Sequence, residues 1–188
     1  MTDLRTSYLG LELANPLVPS SSPLTGDLDA ARRLEDAGAA AIIMPSLFEE
    51  AIRADEARLE RFLEQQDIGH VEADSYRPLP ASYRTQEEIY LDTLASLKSS
   101  LSIPVIASLN GVTAEGWLEH ALALQEAGAD ALELNVYYLA ADPQDTSSGV
   151  EDRYVDLATV LRGCVSLPIA VKLGSQLTAP IELVRRLE

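Results

Sequence analysis

Polar side chains stand where short apolar runs of this chain come to an end. The runs are residues 17–18, 39–44, 105–109, 131–136 and 169–173. At or just beyond their ends are Ser20, Ser21, Ser22, Pro45, Ser46, Asn110, Asn135, Tyr137, Tyr138 and Lys172. Hydroxyls and amides both donate and accept hydrogen bonds, so the set suits the edge of a heteroaromatic ring or a substrate carboxylate. It has no metal-ligand spacing, and His70 and His120 lie elsewhere, so we predict no metal site.

Lys172 is the strongest single signal, because the run Ile169-Ala-Val-Lys-Leu173 surrounds it with apolar residues. A lysine is costly to bury unless an anionic or electron-rich group meets it. Three interpretations stay open. The ammonium extends out of the strand end to a carboxylate, or it stands beside an electron-rich cofactor ring, or the amine is a Schiff-base nucleophile.

The other candidates also have structural alternatives. Asn110 and Asn135 each either contact a ligand or close an Asx turn in the following loop. A tyrosine acts as a base only with help from a nearby cation, and for Tyr137 and Tyr138 we favour packing or pocket lining. For any one serine of Ser20–Ser22 a turn is favoured over a ligand contact. Cys164 is predicted to be a small buried apolar residue.

The elements that position these residues alternate between strand and helix. Apolar runs bounded by turn residues are typical of buried parallel strands, which gives five strands. Helix ends repeat, as in Leu34–Ala39 and Leu124–Ala129, and both Ser102–Ala107 and Ser166–Val171 open a strand with proline. Repeated β-then-α units with tight turns, and no glycine-rich phosphate turn after the first strand, favour a (β/α)8 barrel over an open sheet.

Capping residues mark the helices between the strands. Asp27, Thr85 and Thr113 each stand where an N-cap is expected, and Thr85 opens a capping box. Further helices are predicted around Tyr154–Leu161 and over Pro180–Glu188. After strand 2, residues 47–84 form an inserted helix and loop: an acidic helix from about Leu47 to Gln65, with Glu49–Glu64 as a solvated face, then an irregular segment containing Tyr76, Pro78, Pro80 and Tyr83.

Length and charge narrow the class of protein. The chain has 188 residues, 30 acidic against 14 basic side chains, and a formal net charge of −16, so we expect one domain over residues 1–188 and no nucleic acid or anionic membrane as partner. A single cysteine and the absence of an apolar signal sequence predict a cytoplasmic protein. The expected ligand is a small-molecule substrate.

The C-terminal residues Arg185–Glu188 repeat Arg32–Glu35, but no strand follows the second copy. With about five of the eight units of a barrel present, we expect a truncated or partial barrel. A complete five-stranded α/β domain is the alternative. Open sheet edges in a partial barrel predict a homo-oligomer.

Four segments, in order, resemble the dihydroorotate dehydrogenase family. They are Tyr8–Ser21 with its Asn15-Pro16 motif, Pro104–Gly111, Ala127–Asn135 and Val171-Lys172-Leu173. The resemblance implies an N-terminal hairpin and a barrel that binds FMN through Ser20, Ser21, Asn110, Asn135 and Lys172. It further implies oxidation of a CH–CH bond, as in pyrimidine biosynthesis, with Lys172 stabilising negative charge on the reduced flavin.

Two departures from that family affect the chemistry. The family loop after the asparagine reads S-C-P-N or S-S-P-N, whereas this chain has Tyr138 at the cysteine position and Ala140 at the second asparagine. Tyr138 becomes the proposed base, and dihydroorotate oxidation is expected to be weak. A lysine often ends the second strand in the family, and Pro45-Ser46 stands there in this chain. The alternatives are a Schiff-base lyase or aldolase that uses Lys172 and a non-catalytic half-barrel.

Overall fold

The computed structural model describes residues 2–67, 83–111, 113–136 and 138–188, with no description of the side chains of residues 62–67. Two short strands open the chain, and parallel strands then alternate with helices. The strands are β1 (Thr6–Tyr8), β2 (Leu11–Leu13), β3 (Ile42–Phe48), β4 (Val105–Asn110), β5 (Ala131–Asn135) and β6 (Ile169–Lys172). The helices are α1 (Leu28–Asp36), α2 (Glu49–Asp67), α3 (Gln86–Ser100), α4 (Ala114–Glu126), α5 (Ser147–Cys164) and α6 (Pro180–Leu187), with a 3₁₀ helix at Pro23–Gly26 before α1.

Four strands form one parallel sheet in the order β3-β4-β5-β6, and β1 pairs with β2 as a separate antiparallel hairpin. Sequential strands are therefore neighbours, as in a barrel wall. The α/β class and the hairpin agree with the sequence-based expectations.

The predicted first strand is wrong as a regular strand. The segment around Leu17-Val18 runs beside β3 and makes two backbone hydrogen bonds, from the Ala40 N–H to the Leu17 carbonyl at 2.9 Å and from the Ile43 N–H to the Pro19 carbonyl at 3.0 Å. It occupies the place of a fifth strand without completing a ladder. Pro16 and Pro19 carry no N–H, so they cannot donate to one.

The helix starts are where the capping residues predict them. The Asp27 side chain accepts from the Ala30 N–H, and Thr85 and Thr113 accept from the backbone of Glu88 and Gly116. The Glu88 carboxylate also accepts from the Thr85 N–H at 3.0 Å, which completes the capping box. These contacts depend only on residues three apart in sequence, so the sequence specifies them directly.

The sheet has two different faces because side chains alternate along each strand. Outward residues such as Ala107, Leu132 and Leu134 join the large core under the helices. Inward residues Ile43, Ile106 and Ala131 form a smaller cluster that the hairpin covers with Leu13. The inner cluster lies toward the start of the strands, which leaves the ends of the same face for polar side chains.

Three sequence-based expectations need correction. Strand β3 does not end at Met44 but continues to Phe48, with a register shift between Ile43 and Ser46 that accommodates Pro45. Helix α2 consequently starts at Glu49 rather than Leu47. Its acidic residues are not all solvated, since Glu49 and Asp55 are buried.

Cys164 is exposed, which corrects the prediction that it is buried. It is the last residue of α5, and Leu161 and Val165 occupy the buried positions on either side of it. Tyr76, Pro78 and Pro80 lie outside the described residues, whereas Tyr83 donates to the Asp55 carboxylate at 2.9 Å. Within the described parts of the chain, we find no helix with the length and apolarity that a membrane span requires.

The outer edge of β6 leads to a prediction about assembly. Among the described strands β6 pairs only with β5, and Ile181 and Val184 of the neighbouring α6 are 71% and 40% exposed. Unpaired edges and exposed apolar residues favour self-association. Size-exclusion chromatography should show a species larger than 20.3 kDa. The fraction of this species should increase with salt as the net charge of −16 is screened, and Ile181→Lys should reduce that fraction. A monomer at every salt concentration would contradict this expectation.

Candidate functional site

Polar side chains from all four strands share the inner face at the end of the parallel sheet. Residue pairs across the strands set this arrangement: Ser108 lies beside Glu133, and Asn135 lies beside Lys172. Asn110 follows Ser108 by two residues on β4, so it shares that face. The structure therefore places Asn110, Asn135 and Lys172, which the sequence singles out, at one edge of one surface.

A chain of polar contacts crosses all four strands just below these strand ends. The Ser46 and Ser108 hydroxyls are 2.8 Å apart, and the Ser108 hydroxyl donates to Glu133 Oε1 at 3.3 Å. The same carboxylate oxygen lies 3.8 Å from Lys172 Nζ. Burial, and then the charge of Glu133, raises the pKa of Tyr8 in the hairpin. Ser46, Ser108, Glu133 and Lys172 are called the inner row below.

Glu133 is a site residue that the sequence analysis missed. It stands two residues before Asn135 in an otherwise apolar strand, and its side chain is 12% exposed. A carboxylate in a buried strand was the available signal, because such a group requires a cation or donors. Glu133 has both in Lys172 and Ser108.

Lys172 is more accessible than its apolar flanks suggest. Its side chain is 52% exposed, and its ammonium group lies near the Glu133 carboxylate. This contact matches the first of the three interpretations, a lysine that extends to a carboxylate. It also leaves the ammonium group open to a ligand above the strand ends.

The serines Ser20–Ser22, which follow the segment around Leu17-Val18, fall into two groups. Ser22 caps the 3₁₀ helix, with its N–H donating to the Thr25 hydroxyl at 3.2 Å. Ser20 and Ser21 follow Pro19, whose carbonyl is bonded to β3, so they lie on the side of β3 that faces away from β4. Ser46, near the end of β3 itself, is the serine that belongs to the inner row.

A cleft of about 290 Å³ lies between the loops that follow β5 and β6. Its lining includes Tyr138, Asp145, Glu151, Tyr154 and Gly174. The Tyr154 hydroxyl donates to the Val136 carbonyl at 3.1 Å, which fixes the start of the β5 loop. No lysine or arginine is among the described residues that line the cleft. Tyr137 lies outside the described part of the chain.

Tyr138 is held by two charged neighbours. Its hydroxyl lies 3.0 and 2.9 Å from the two Asp145 carboxylate oxygens, to which it donates. The Arg153 guanidinium lies 4.0 Å from the ring centroid and 3.6 Å from Asp145 Oδ1. The hydrogen bond to Asp145 is the main cause that raises the pKa of the Tyr138 phenol. The phenol therefore holds its own proton more strongly than an isolated tyrosine does.

Buried Glu49 positions the loop that follows Asn110. Its carboxylate accepts from the Thr113 N–H at 2.9 Å and from the Thr113 hydroxyl at 2.7 Å, and Arg53 lies 2.9 Å from it. Gly116 leaves the space for this contact, since a Cβ there would lie 2.4 Å from the carboxylate carbon of Glu49. The start of α2 and the start of α4 are thereby tied together at the end of β4.

Tyr90 of α3 supports β4 at the point where β3 bulges. Its hydroxyl donates to the Ser108 carbonyl at 3.2 Å and accepts from the Ser108 N–H at 3.1 Å. Burial is the largest cause that raises the pKa of Tyr90 well above its usual value. The phenol satisfies the backbone of Ser108, whose side chain is part of the inner row.

The histidine in the described part of the chain lies away from the strand ends. His120 of α4 is buried, and its Nδ1 lies 2.8 Å from Glu87 Oε1 of α3. Across the described residues, no group of three or more histidine, cysteine or acidic side chains is placed to hold a metal ion.

No protein-family model matches the chain. A curated relative is the catalytic subunit of dihydroorotate dehydrogenase B (NAD(+)) from Thermoplasma volcanium, which is 23% identical over 205 residues. The match covers 100% of this chain and 60% of the relative, so the chain spans less than two thirds of the protein it resembles.

A solved structure of an IMP dehydrogenase/GMP reductase-like protein from Corynebacterium glutamicum superposes with a TM-score of 0.53 at 13% identity. The superposition covers 98% of this chain and 46% of that structure. At this identity the likeness is one of fold. The chain has the α/β fold of a partial TIM-type barrel, as the repeated units predict.

Proposed function

We propose that this chain forms part of an FMN-dependent oxidoreductase that oxidises a CH–CH bond. The observation that carries the proposal is the placement of Asn110, Asn135 and Lys172 on one face at the carboxyl ends of neighbouring parallel strands. Functional groups of TIM-type barrels lie at this edge. The curated relative, whose name is that of a dihydroorotate dehydrogenase subunit, supports the class of reaction.

The residues present fit the polar edge of a flavin ring. Such an edge alternates hydrogen-bond acceptors with a donor, and the two amides can meet either kind of group. Lys172 supplies a cation whose side chain is half exposed. Bound FMN would supply the hydride acceptor. Asn135 and Asn110 would orient the ring, and the Lys172 ammonium would stabilise negative charge at its edge.

The Schiff-base alternative is less well supported by the surroundings of Lys172. A nucleophilic lysine is made neutral by burial in an apolar pocket or by a neighbouring cation. The Lys172 side chain is half exposed, and the charged group in contact with it is the carboxylate of Glu133. Borohydride trapping with a carbonyl substrate would detect the alternative, and we expect no adduct.

Dihydroorotate is expected to be a poor substrate. Tyr138 stands at the position of the family's cysteine base, and the adjoining cleft contains the carboxylates of Asp145 and Glu151. A carboxylate substrate would be repelled by such a lining. Uncharged 5,6-dihydrouracil, which is dihydroorotate without its carboxylate, is expected to reduce bound FMN faster than dihydroorotate. Faster reduction by dihydroorotate would contradict this prediction.

Titration with FMN and riboflavin tests the flavin proposal. Both should bind with dissociation constants that agree within a few-fold, because the proposed contacts are all to the ring. Lys172→Met keeps the apolar stem and removes the charge, so it should weaken binding about tenfold or more and lower the reduction potential of the bound flavin.

Arg33→Ala is the matched control, because it removes one positive charge from an exposed position of α1. It should leave flavin binding unchanged. Flavin binding that is indifferent to Lys172→Met, or a chain that binds neither flavin, would contradict the proposal.

A further inference from the structure

The Tyr138 hydroxyl donates its proton to the Asp145 carboxylate, and this hydrogen bond limits how Tyr138 can act as a base. A phenol that donates to a carboxylate cannot hold an additional proton unless it releases the one it has. The Tyr138 hydroxyl already points at both Asp145 oxygens, at 3.0 and 2.9 Å. Both side chains line the cleft that opens beside the ends of β5 and β6.

We propose that Tyr138 and Asp145 form a concerted proton relay, in which Tyr138 meets the substrate and Asp145 is the final proton acceptor. The inference rests on the proposed function and adds a residue that nothing in the sequence marked. The C–H bond at the acidic carbon of the substrate breaks, and its electron pair stays on the substrate. That proton bonds to the Tyr138 oxygen as the phenol's own proton bonds to an Asp145 oxygen.

The surroundings of Asp145 suit it to this role. Its side chain is 13% exposed, so water competes little for its oxygens. The Asp142 N–H donates to Asp145 Oδ2 at 3.3 Å and keeps the carboxylate within the loop. Arg153 lies against both the Tyr138 ring and Asp145, which fixes the ring over the cleft. The hydrogen bond that raises the Tyr138 pKa argues against a stable phenolate as the base, whereas a relay needs none.

The first test measures proton transfer by itself. Exchange of the acidic C–H of 5,6-dihydrouracil with D₂O is followed by NMR on the chain with reduced FMN, so that no oxidation competes. The wild type should exchange the proton, and both Tyr138→Phe and Asp145→Asn should slow exchange by a factor of about 10² or more. Asp156→Asn, which removes an exposed carboxylate of α5 that does not line the cleft, should exchange at the wild-type rate.

The pH profile separates a relay from a structural contact. In the wild type exchange should already be fast at neutral pH, because Asp145 accepts the proton that the Tyr138 phenol releases. In Asp145→Asn the residual rate should rise only in alkaline solution, as the tyrosine ionises. An Asp145→Asn variant that keeps the wild-type rate or profile would overturn the relay, as would a wild type that exchanges no proton.

Repeating the exchange without FMN keeps this inference separable from the proposed function. Exchange that depends on Asp145 in a chain that binds no flavin would support the relay and contradict the oxidoreductase proposal. A chain that binds flavin but exchanges the proton at the same rate with and without Asp145 would support the oxidoreductase proposal and contradict the relay.

Discussion

Glu49→Ala is expected to lower the free energy of unfolding by about 1–3 kcal/mol, which is typical of leaving buried hydrogen-bond donors without their acceptor. Glu49 is 1% exposed, and its carboxylate receives the Thr113 N–H and hydroxyl as well as the Arg53 guanidinium. The alanine would leave the Thr113 donors without this acceptor at the start of α4. Urea unfolding at neutral pH measures the loss.

Glu50→Ala is the matched control, because it removes the neighbouring acidic residue of the same helix from an exposed position. Its cost should stay within about 0.5 kcal/mol. The loss in free energy of unfolding for Glu49→Gln should lie between those of Glu49→Ala and Glu50→Ala, because the amide oxygen still accepts a hydrogen bond but carries no charge. A Glu49→Ala cost no larger than that of Glu50→Ala would show that the carboxylate does not tie α2 to α4.

Tyr90 is expected to make the fold sensitive to alkaline pH. Its pKa is raised above the ordinary value of 10.0, mainly by burial, so in the folded chain it keeps its proton where the unfolded chain loses it. The unfolded state then binds fewer protons, and the stability falls as the pH rises. For each pH unit above about 10, Tyr90 should lower the free energy of unfolding by about 1.4 kcal/mol.

The comparison with Tyr90→Phe isolates this contribution. The variant loses the hydroxyl that bonds the Ser108 backbone, so at pH 8 it should be less stable by about 1–3 kcal/mol. Above pH 10 its stability should fall less steeply than that of the wild type, and the two curves should converge. Parallel curves between pH 10 and 11.5 would contradict the burial of an un-ionised phenol at position 90.

Local features of the fold could be predicted because neighbouring residues determine them. Asp27, Thr85 and Thr113 cap their helices through contacts three residues away. Alternation along β4 and β5 also fixes which side chains share a face, so Asn110 and Asn135 reach the same edge of the sheet. Sequence reasoning works at these positions because the period of a strand and the geometry of a cap are independent of distant residues.

Buried charges could not be predicted in the same way. Glu49 is bonded to Thr113, 64 residues away, and Glu133 to Ser108, 25 residues away. An acidic residue in a charged helix is solvated in most proteins, and only its tertiary partners show that it is not. The same holds for Asp145, whose phenol partner is seven residues away across an irregular loop.

The prolines explain the remaining difference between predicted and observed strands. Pro16 and Pro19 prevent the segment around Leu17-Val18 from forming a full ladder, and Pro45 lies within a strand that was expected to stop before it. The bulge at Pro45 brings Ser46 into register with Ser108. A bulge re-aims side chains without any marked change in hydrophobic pattern.

In the function that we propose, the ends of β4, β5 and β6 hold the edge of a flavin ring. A crystal structure of the chain soaked with FMN tests it most directly. We expect the polar edge of the ring to lie within hydrogen-bond distance of the Asn135 amide and the Lys172 ammonium group. A ring bound anywhere else on the chain, with Lys172 still in contact with Glu133, would contradict it.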